Sequence, residues 1–303
     1  MTGARALLGL GVLIGIAAGA LLAAVVAAGL YLSRPAPAPI GPPPDSLPGG
    51  EMVAIASASG ATLRGWWVPA TVSGQDGAKR GGVVLMHGVR ANRLQMLERA
   101  RVLHDQGYAV LLFDFQAHGE STGARITFGK LESVDAAAAV QFMRARESRV
   151  AAIGVSLGGA AALVGVDPLA VDALVIESVY PDIGAALSNR LRVQLGPLGP
   201  VAAPALARVL AMVFQAVLPP ILGVWTDELR PIDGVARVVA PVLIASGTAD
   251  AYTPIGEAEA LYARAVGSKQ YWPVQGAGHV DLEYFDPAAY WAVVLPFLDQ
   301  HLR

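Results

Sequence analysis

The sequence predicts an α/β fold with a mostly parallel central sheet and helices on both faces. Short apolar strand patterns alternate with helical patterns along most of the chain, as expected for parallel strands joined by helices. The length of 303 residues suits one large domain with an appendage. The predicted strands are residues 52–57, 61–68, 82–87, 109–114, 150–155, 173–177, 241–246 and 270–274, of which the first two form an antiparallel pair.

The N-terminal segment, residues 1–33, is predicted to be a transmembrane anchor. No charged residue occurs between Ala6 and Leu32, and about 20 apolar residues suffice to cross a bilayer as a helix. A cleaved signal peptide is the alternative, although its apolar core is normally shorter. We therefore expect a single-pass membrane protein.

The rest of the chain is predicted to be a spacer followed by one domain. Residues 34–50 contain seven prolines and three glycines, which favours an extended, semi-stiff linker. The domain is assigned to residues 51–303. Its interval at about 182–233 is too long for a loop and is predicted to be an inserted helical lid, whose few charges suit an apolar acyl pocket or contact with a membrane.

The segment around Ser156 has the pattern of a nucleophile elbow. An apolar strand runs into a Gly-x-Ser-x-Gly turn and then into a helix of small residues. A serine turned sharply out of a strand has a strained backbone, so its neighbours must be small, and Gly154 and Gly158 provide the room. The turn also aims the amide of Leu157 at the position where negative charge develops during acyl transfer.

Two further residues follow in the order expected of a serine, acid and histidine site. Asp250 ends the small-residue loop after the strand at 241–246, and His279 follows a glycine-rich turn after the last strand. His279 is the predicted base, and Asp250 is the acid predicted to orient it. Glu177 and Asp281 are the alternative acids.

The second predicted oxyanion donor is the amide of Val89, which follows an apolar strand that ends in a His-Gly turn. The remaining four of the five histidines are expected to be structural or exposed. They are His87, His104, His118 and His301.

Together these motifs resemble the α/β-hydrolases, nearest to the bacterial serine-hydrolase branch that includes Bem46-like and serine-aminopeptidase-like proteins. The resemblance covers about residues 52 to 302 and implies an α/β-hydrolase fold with a serine nucleophile, but no particular substrate. Such proteins include esterases, lipases, thioesterases and peptidases. The matching segments are His87-Gly88, Asp114 to Ser121, the Ser156 turn, Gly247 to Asp250, and Gly278-His279.

The sequence thus predicts a membrane-anchored serine hydrolase that cleaves carboxylic esters or lipids with an apolar acyl group through an acyl-enzyme on Ser156. A peptidase for short peptides and a non-catalytic scaffold are the alternatives. We expect no cofactor and no metal, and the lack of cysteine excludes a cysteine nucleophile. A net charge of −2 argues against a nucleic-acid partner. The expected location is the bacterial inner membrane, with the catalytic domain on the periplasmic side.

Overall fold

A computed structural model of the protein describes residues 2–70, 80–217, 219–279 and 282–302. Two short strands pair with each other, and the other eight strands form one sheet. The strands in these residues are β1 (Ala36–Pro37), β2 (Glu51–Ala56), β3 (Thr62–Val68), β4 (Arg80–Met86), β5 (Tyr108–Phe113), β6 (His118–Gly119), β7 (Val150–Val155), β8 (Ala173–Glu177), β9 (Val242–Gly247) and β10 (Lys269–Val274).

The large sheet has the strand order β10-β9-β8-β7-β4-β5-β3-β2. The first six of these strands run parallel, whereas β3 pairs antiparallel with both β5 and β2. The prediction of a mostly parallel sheet with an antiparallel pair at its start is confirmed. The parallel strands end at one edge, where ligands bind in sheets of this kind.

Helices cover both faces of the sheet. The side chains of successive strand residues point to opposite faces, so Val84 and Met86 of β4 enter one core while Val83 and Leu85 enter the other. The helices are α1 (Thr2–Ser33), α2 (Leu97–Asp105), α3 (Lys130–Arg144), α4 (Leu157–Leu163), α5 (Ile183–Gln194), α6 (Ala202–Val217), α7 (Pro219–Leu222), α8 (Pro231–Val235), α9 (Ile255–Arg264), α10 (Leu282–Phe285) and α11 (Pro287–Leu302).

The interval interpreted as a lid, residues 182–233, contains α5, α6 and α7. Helix α6 buries one stripe at helical spacing, formed by Ala203, Ala207, Ala211 and Phe214. This stripe packs towards α5 and the end of α1. Helices α5 and α6 of the insertion and the end of α1 therefore cover the carboxyl edge of the sheet, and this layer is called the roof below.

The last turns of α1 contact the domain. Val25 is buried in a small cluster with Phe214 of α6, and the Ser33 hydroxyl donates a hydrogen bond of 2.7 Å to the carbonyl oxygen of Ile126. Within the part of the chain that the structure describes, no helix is both long and apolar enough to cross a membrane. The transmembrane anchor predicted for residues 1–33 is therefore not supported.

The proline-rich segment 34–50 also lies against the domain instead of forming a free spacer. The strand β1 pairs with β6. The amides of Ile40 and Gly41 donate to Glu120 Oε1 at 3.0 and 2.9 Å, and Leu47 is only 2% exposed. These contacts anchor an extended segment that has few amides of its own to pair.

Candidate active site

Ser156 lies in a strained turn between β7 and α4. Its backbone has φ of 51° and ψ of −107°, a conformation that non-glycine residues rarely adopt. A Cβ atom at Gly154 would lie 2.5 Å from the amide nitrogen of Gly159, and one at Gly158 would lie 2.3 Å from the carbonyl oxygen of Met86. The prediction that these two positions require glycine is confirmed.

The structure brings the three predicted catalytic side chains together at the carboxyl edge of the sheet. Ser156 Oγ lies 3.5 Å from His279 Nε2, and His279 Nδ1 lies 2.8 Å from Asp250 Oδ2. Asp250 follows β9 and His279 follows β10. The first distance is at the long limit of a hydrogen bond, and such contacts commonly shorten when substrate binds.

Asp250 is held by several donors besides His279. Its Oδ1 accepts hydrogen bonds of 2.8 Å from the amides of Tyr252 and Thr253, and its Oδ2 accepts one from the Thr253 hydroxyl. Burial opposes the ionisation of Asp250, but the bonds and charge from His279 and the bonds from Thr253 outweigh it and lower the pKa of this carboxyl. Asp250 is therefore ionised at neutral pH and can keep the proton of His279 on Nδ1, so that Nε2 faces Ser156 as an acceptor.

The two alternative acids occupy other positions. Glu177 is fully buried, and its carboxylate accepts hydrogen bonds from Arg99 Nη2 at 2.7 Å and from the Tyr290 hydroxyl at 2.6 Å. It therefore braces the sheet against α2 and α11. Asp281 lies outside the described residues. The geometry favours Asp250 as the acid.

Val89 and Leu157 line the cleft together with Ser156. Among the described residues, neither amide donates to a protein acceptor. Leu157 is the first residue of α4, where the first amides of a helix have no partner within the helix. Both predicted donors are thus available to an oxyanion.

Two buried histidines fix the turn that carries Val89. His87 Nδ1 donates to the carbonyl oxygen of Gly88 at 2.7 Å, and the Arg90 amide donates to His118 Nε2 at 3.0 Å. Burial, aided by the charge of His118, lowers the pKa of His87 to about 3, so its ring is neutral at physiological pH. These bonds give both histidines a structural role in the turn.

An apolar cleft opens beside Ser156 and His279, under the roof formed by α5 and α1. A neighbouring cavity shares Leu32, Phe128, Ile183 and Leu187 with the cleft and continues to Gly29 and Phe214. Apolar side chains line most of both spaces, and the polar side chains of the cleft lie around Ser156 and His279. Gly29 belongs to α1 and Phe214 to α6, so the neighbouring cavity extends from the shared residues towards the contact between these two helices.

Several residues at this site were missed by the sequence analysis. Thr253 carries a readable signal, because an Asp followed three residues later by Thr often closes a local turn with side-chain hydrogen bonds. Leu32 lay within the predicted anchor and was therefore not considered. Arg190, which lines the cleft from α5, carries no local signal, because only the fold brings it to His279.

A mostly parallel sheet whose strand ends carry a serine turn, an acid and a histidine in this chain order is the architecture of the α/β-hydrolases. The alpha/beta hydrolase family model matches residues 83–293. The chain belongs to the alpha/beta hydrolase family.

Similar proteins include both uncharacterised relatives and solved esterases. The chain is 30% identical over 253 residues to the uncharacterised protein Rv2307c of Mycobacterium tuberculosis, covering 81% of this chain and 79% of that protein. It is 25% identical to the alpha/beta hydrolase domain-containing protein WAV2 of Arabidopsis thaliana, over 83% of this chain and 79% of that protein. The esterase Pf2001 of Pyrococcus furiosus superposes with a TM-score of 0.69 at 22% identity, over 90% of this chain and 99% of that chain. At this identity, the likeness establishes the shared fold.

Proposed function

We propose that the protein is a serine hydrolase that cleaves carboxylic esters with an apolar acyl group, lipids among them, through an acyl-enzyme on Ser156. The observation that carries this proposal is the linked set of Ser156, His279 and Asp250 at the mouth of an apolar cleft. Solved proteins of similar fold include esterases, which supports ester chemistry. Placement in the Bem46-like or serine-aminopeptidase-like branch stays a prediction.

The first half of the reaction forms the acyl-enzyme. Ser156 Oγ attacks the ester carbonyl carbon while His279 Nε2 takes the hydroxyl proton. The amides of Val89 and Leu157 donate to the oxyanion of the tetrahedral intermediate. The intermediate collapses as the bond to the leaving oxygen breaks, and His279 gives its proton to that oxygen.

The second half restores the enzyme. A water molecule takes the place of the alcohol and gives a proton to His279 Nε2 as its oxygen attacks the acyl carbon. The bond from that carbon to Ser156 Oγ breaks, the serine recovers its proton from His279, and the carboxylic acid leaves. Asp250 stabilises the imidazolium in both halves without itself taking the proton.

The cleft supports an apolar acyl group. Each methylene group that moves from water into such a space contributes about 0.8 kcal/mol. Because Leu32 and Gly29 belong to α1, the N-terminal helix forms one wall of the proposed acyl site. The location of the protein at a bacterial inner membrane stays a prediction, and the proposed reaction does not depend on it.

The peptidase alternative finds less support. A peptidase for short peptides needs an acid or amide to hold the substrate's terminal amine. Glu177 is buried on Arg99, Asp182 caps α5 by accepting from the amide of Ala185, and Asn189 donates to Glu257. All three side chains already form hydrogen bonds within the protein, so none is placed to hold a substrate's amine.

The proposal is tested by labelling the full-length protein with a fluorophosphonate and measuring its intact mass. We expect a single adduct on the wild type and none on Ser156→Ala. The full chain is needed because removing the N-terminal helix would also remove Leu32 from the cleft. A wild type that takes no label and cleaves neither butanoyl nor octanoyl esters would overturn the proposal.

Thr253 is expected to position Asp250 and His279. Its hydroxyl donates to Asp250 Oδ2 and lies 3.2 Å from His279 Nδ1. Replacing Thr253 with valine should lower kcat for a butanoyl ester by about tenfold, the loss expected for one hydrogen bond to a charged group. Thr253→Ser keeps the hydroxyl and should stay within about threefold of the wild type. If the two variants turn over equally, the hydroxyl has no such role.

The wall formed by α1 is tested by acyl-chain preference. Leu32 lines both cavities, so Leu32→Trp should fill space in them and lower kcat/KM for an octanoyl ester by about tenfold more than for a butanoyl ester, since fewer methylene groups are then buried. The matched control is Leu30→Trp on the same helix, where the leucine is 48% exposed. An unchanged chain-length profile in Leu32→Trp would exclude α1 from the acyl site.

A further inference from the structure

We propose that Arg190 binds an anionic group, a carboxylate or a phosphate, on the alcohol side of the substrate. The inference rests on the proposed function and narrows its substrate class. The preferred substrates would be amphiphilic esters that combine an apolar acyl chain with a negatively charged alcohol. The argument depends on a polar cavity, a cation that lacks an acidic partner, and a buried hydroxyl that lacks a hydrogen bond.

The polar cavity adjoins Ser156 and differs in chemistry from the apolar cleft. Its volume is about 180 Å³, well above the roughly 15 Å³ that one water molecule requires. Its polar lining comes from Gln95, Ser156, Ser178, Arg190 and His279, and no carboxylate lines it among the residues that the structure describes. A cavity with a cation and no acid favours a negatively charged occupant.

Arg190 is the cation without an acidic partner. Its guanidinium lies 5.4 Å from the centre of the Tyr252 ring, and the Tyr252 ring lies 5.3 Å from that of His279. Within the described residues, no carboxylate forms an ion pair with Arg190. The guanidinium is therefore held beside the catalytic histidine with its donors available.

The other arginine at the cleft, Arg90, is already engaged. Its Nη1 donates to the carbonyl oxygen of Arg34 at 3.3 Å, and its guanidinium lies 5.7 Å from the centre of the Tyr31 ring. Both partners belong to the end of α1 and the residue after it. Arg90 therefore ties the N-terminal helix to the site, which leaves Arg190 as the cation for a ligand.

Ser178 supplies an independent observation in the same cavity. It is 1% exposed, and its Oγ has no hydrogen-bond partner among the described residues. It also adopts a φ of 51° immediately after β8, a strain that tends to occur at functional sites. A buried hydroxyl that lines the cavity without a partner can donate to an oxygen of the bound anion.

The position of the polar cavity assigns the anion to the alcohol. His279 Nε2 must return its proton to the leaving oxygen, so the alcohol lies beside His279. The apolar cleft and the polar cavity meet at Ser156 and His279. With the acyl chain in the cleft, the polar cavity remains for the alcohol. Ser178 lines this cavity and not the cleft, whereas Arg190 lines both and can reach an anion in the polar cavity.

The experiment compares matched pairs of butanoyl esters on the full-length protein. One pair is butanoyl glycolate and its neutral methyl ester, and the other is 1-butanoylglycerol 3-phosphate and neutral 1-butanoylglycerol. The variants are Arg190→Gln, Arg190→Lys and the control Arg192→Gln. Arg192 lies on the same helix, is exposed, and lines neither cavity. Release of butanoate gives kcat and KM for each pair.

We expect Arg190→Gln to raise KM for at least one anionic ester by about 10- to 100-fold, as a lost charge-assisted hydrogen bond predicts. Turnover of its neutral partner should stay within about twofold. Arg190→Lys should raise KM for the anionic ester less than Arg190→Gln does. Arg192→Gln should change neither the KM for the anionic ester nor the turnover of the neutral one. The pair that responds identifies the anion as carboxylate or phosphate.

Two results would overturn the inference. If Arg190→Gln impaired kcat or KM equally for charged and neutral esters, Arg190 would act only through its contact with Tyr252. A wild type that turns over neutral esters and shows no Arg190-dependent use of either anionic ester would exclude the anion site while leaving the esterase proposal intact. Failure of the esterase proposal looks different, since the wild type would then cleave no ester and take no fluorophosphonate label.

Discussion

Replacing Ser156 with alanine is expected to lower kcat for ester hydrolysis by about a million-fold, to a rate set by binding and the oxyanion amides alone. In the proposed reaction the serine forms the covalent intermediate, and no other hydroxyl in the described residues lies within hydrogen-bond distance of His279 Nε2. The measurement is the rate of butanoate release at saturating ester, corrected for hydrolysis in buffer. The effect should appear in kcat with little change in the free energy of unfolding.

The same experiment tests whether the three residues act as a unit. His279→Ala alone should cost about as much as Ser156→Ala, and the double variant should be no slower than either single one, because each removes the same nucleophilic step. The control is Ser246→Ala on β9, where a fully buried hydroxyl has no partner among the described residues. It should keep turnover within about twofold. If the reduction in kcat of the double variant equalled the product of the two single reductions, Ser156 and His279 would act separately.

The sequence predicted the elbow and its partners well because their signals are local. A serine between glycines at the end of an apolar strand meets a steric demand that Gly154 and Gly158 satisfy within five residues. Asp250 and His279 each follow a strand, and parallel strands deliver their ends to one edge. Chain order and strand position were therefore enough to place all three side chains.

The choice between Asp250 and Glu177 required the fold. Both acids end a strand of the sheet, so local pattern does not separate them. What separates them is Arg99, which comes from α2, 78 positions before Glu177, and pairs with its buried carboxylate. A partner at that distance along the chain leaves no periodic signal in the sequence.

The partners of the N-terminal segment also required the fold. Hydropathy measures how apolar a helix is but does not identify what covers it. Val25 packs with Phe214, which lies far along the chain in the inserted region, and Leu32 faces the cleft. Similarly, the predicted spacer at 34–50 finds its partners on β6 and Glu120. An apolar helix that covers a protein surface and one that enters a membrane share the same composition.

The largest expected effect on stability is at Arg93, whose guanidinium is fully buried. Its Nη1 pairs with Asp114 Oδ2 at 2.5 Å, its Nη2 pairs with Glu120, and the guanidinium lies 4.8 Å from the centre of the Trp66 ring. Replacing Arg93 with methionine leaves the buried Asp114 carboxylate without its cation. We expect the free energy of unfolding to fall by about 3 to 5 kcal/mol, as for other broken buried ion pairs.

Urea unfolding followed by circular dichroism measures this loss. The matched control is Arg101→Met, which removes an ion pair with Glu98 whose side chains are 44% and 59% exposed. Exposed pairs at this helical spacing contribute about 0.5 kcal/mol or less. If both variants lost a similar free energy of unfolding, the buried pair of Arg93 and Asp114 would contribute no more to stability than an exposed pair.

The pH dependence of the Arg93→Met effect follows from the charge that remains. Burial raises the pKa of Asp114 in the native protein, although backbone amides and Arg93 oppose the rise. Without Arg93 this pKa should rise further above its unfolded value. The native state then binds more protons than the unfolded state as pH falls, so acid relieves the destabilisation.

We therefore expect the cost of Arg93→Met to be largest near pH 8 and to shrink towards pH 5, while the cost of Arg101→Met stays constant. Glu120 interferes little, because the causes that most lower its pKa are hydrogen bonds from the amides of Ile40 and Gly41, which Arg93→Met leaves in place. A cost that is independent of pH would show that lost packing of the guanidinium, and not the unpaired Asp114 carboxylate, destabilises the variant.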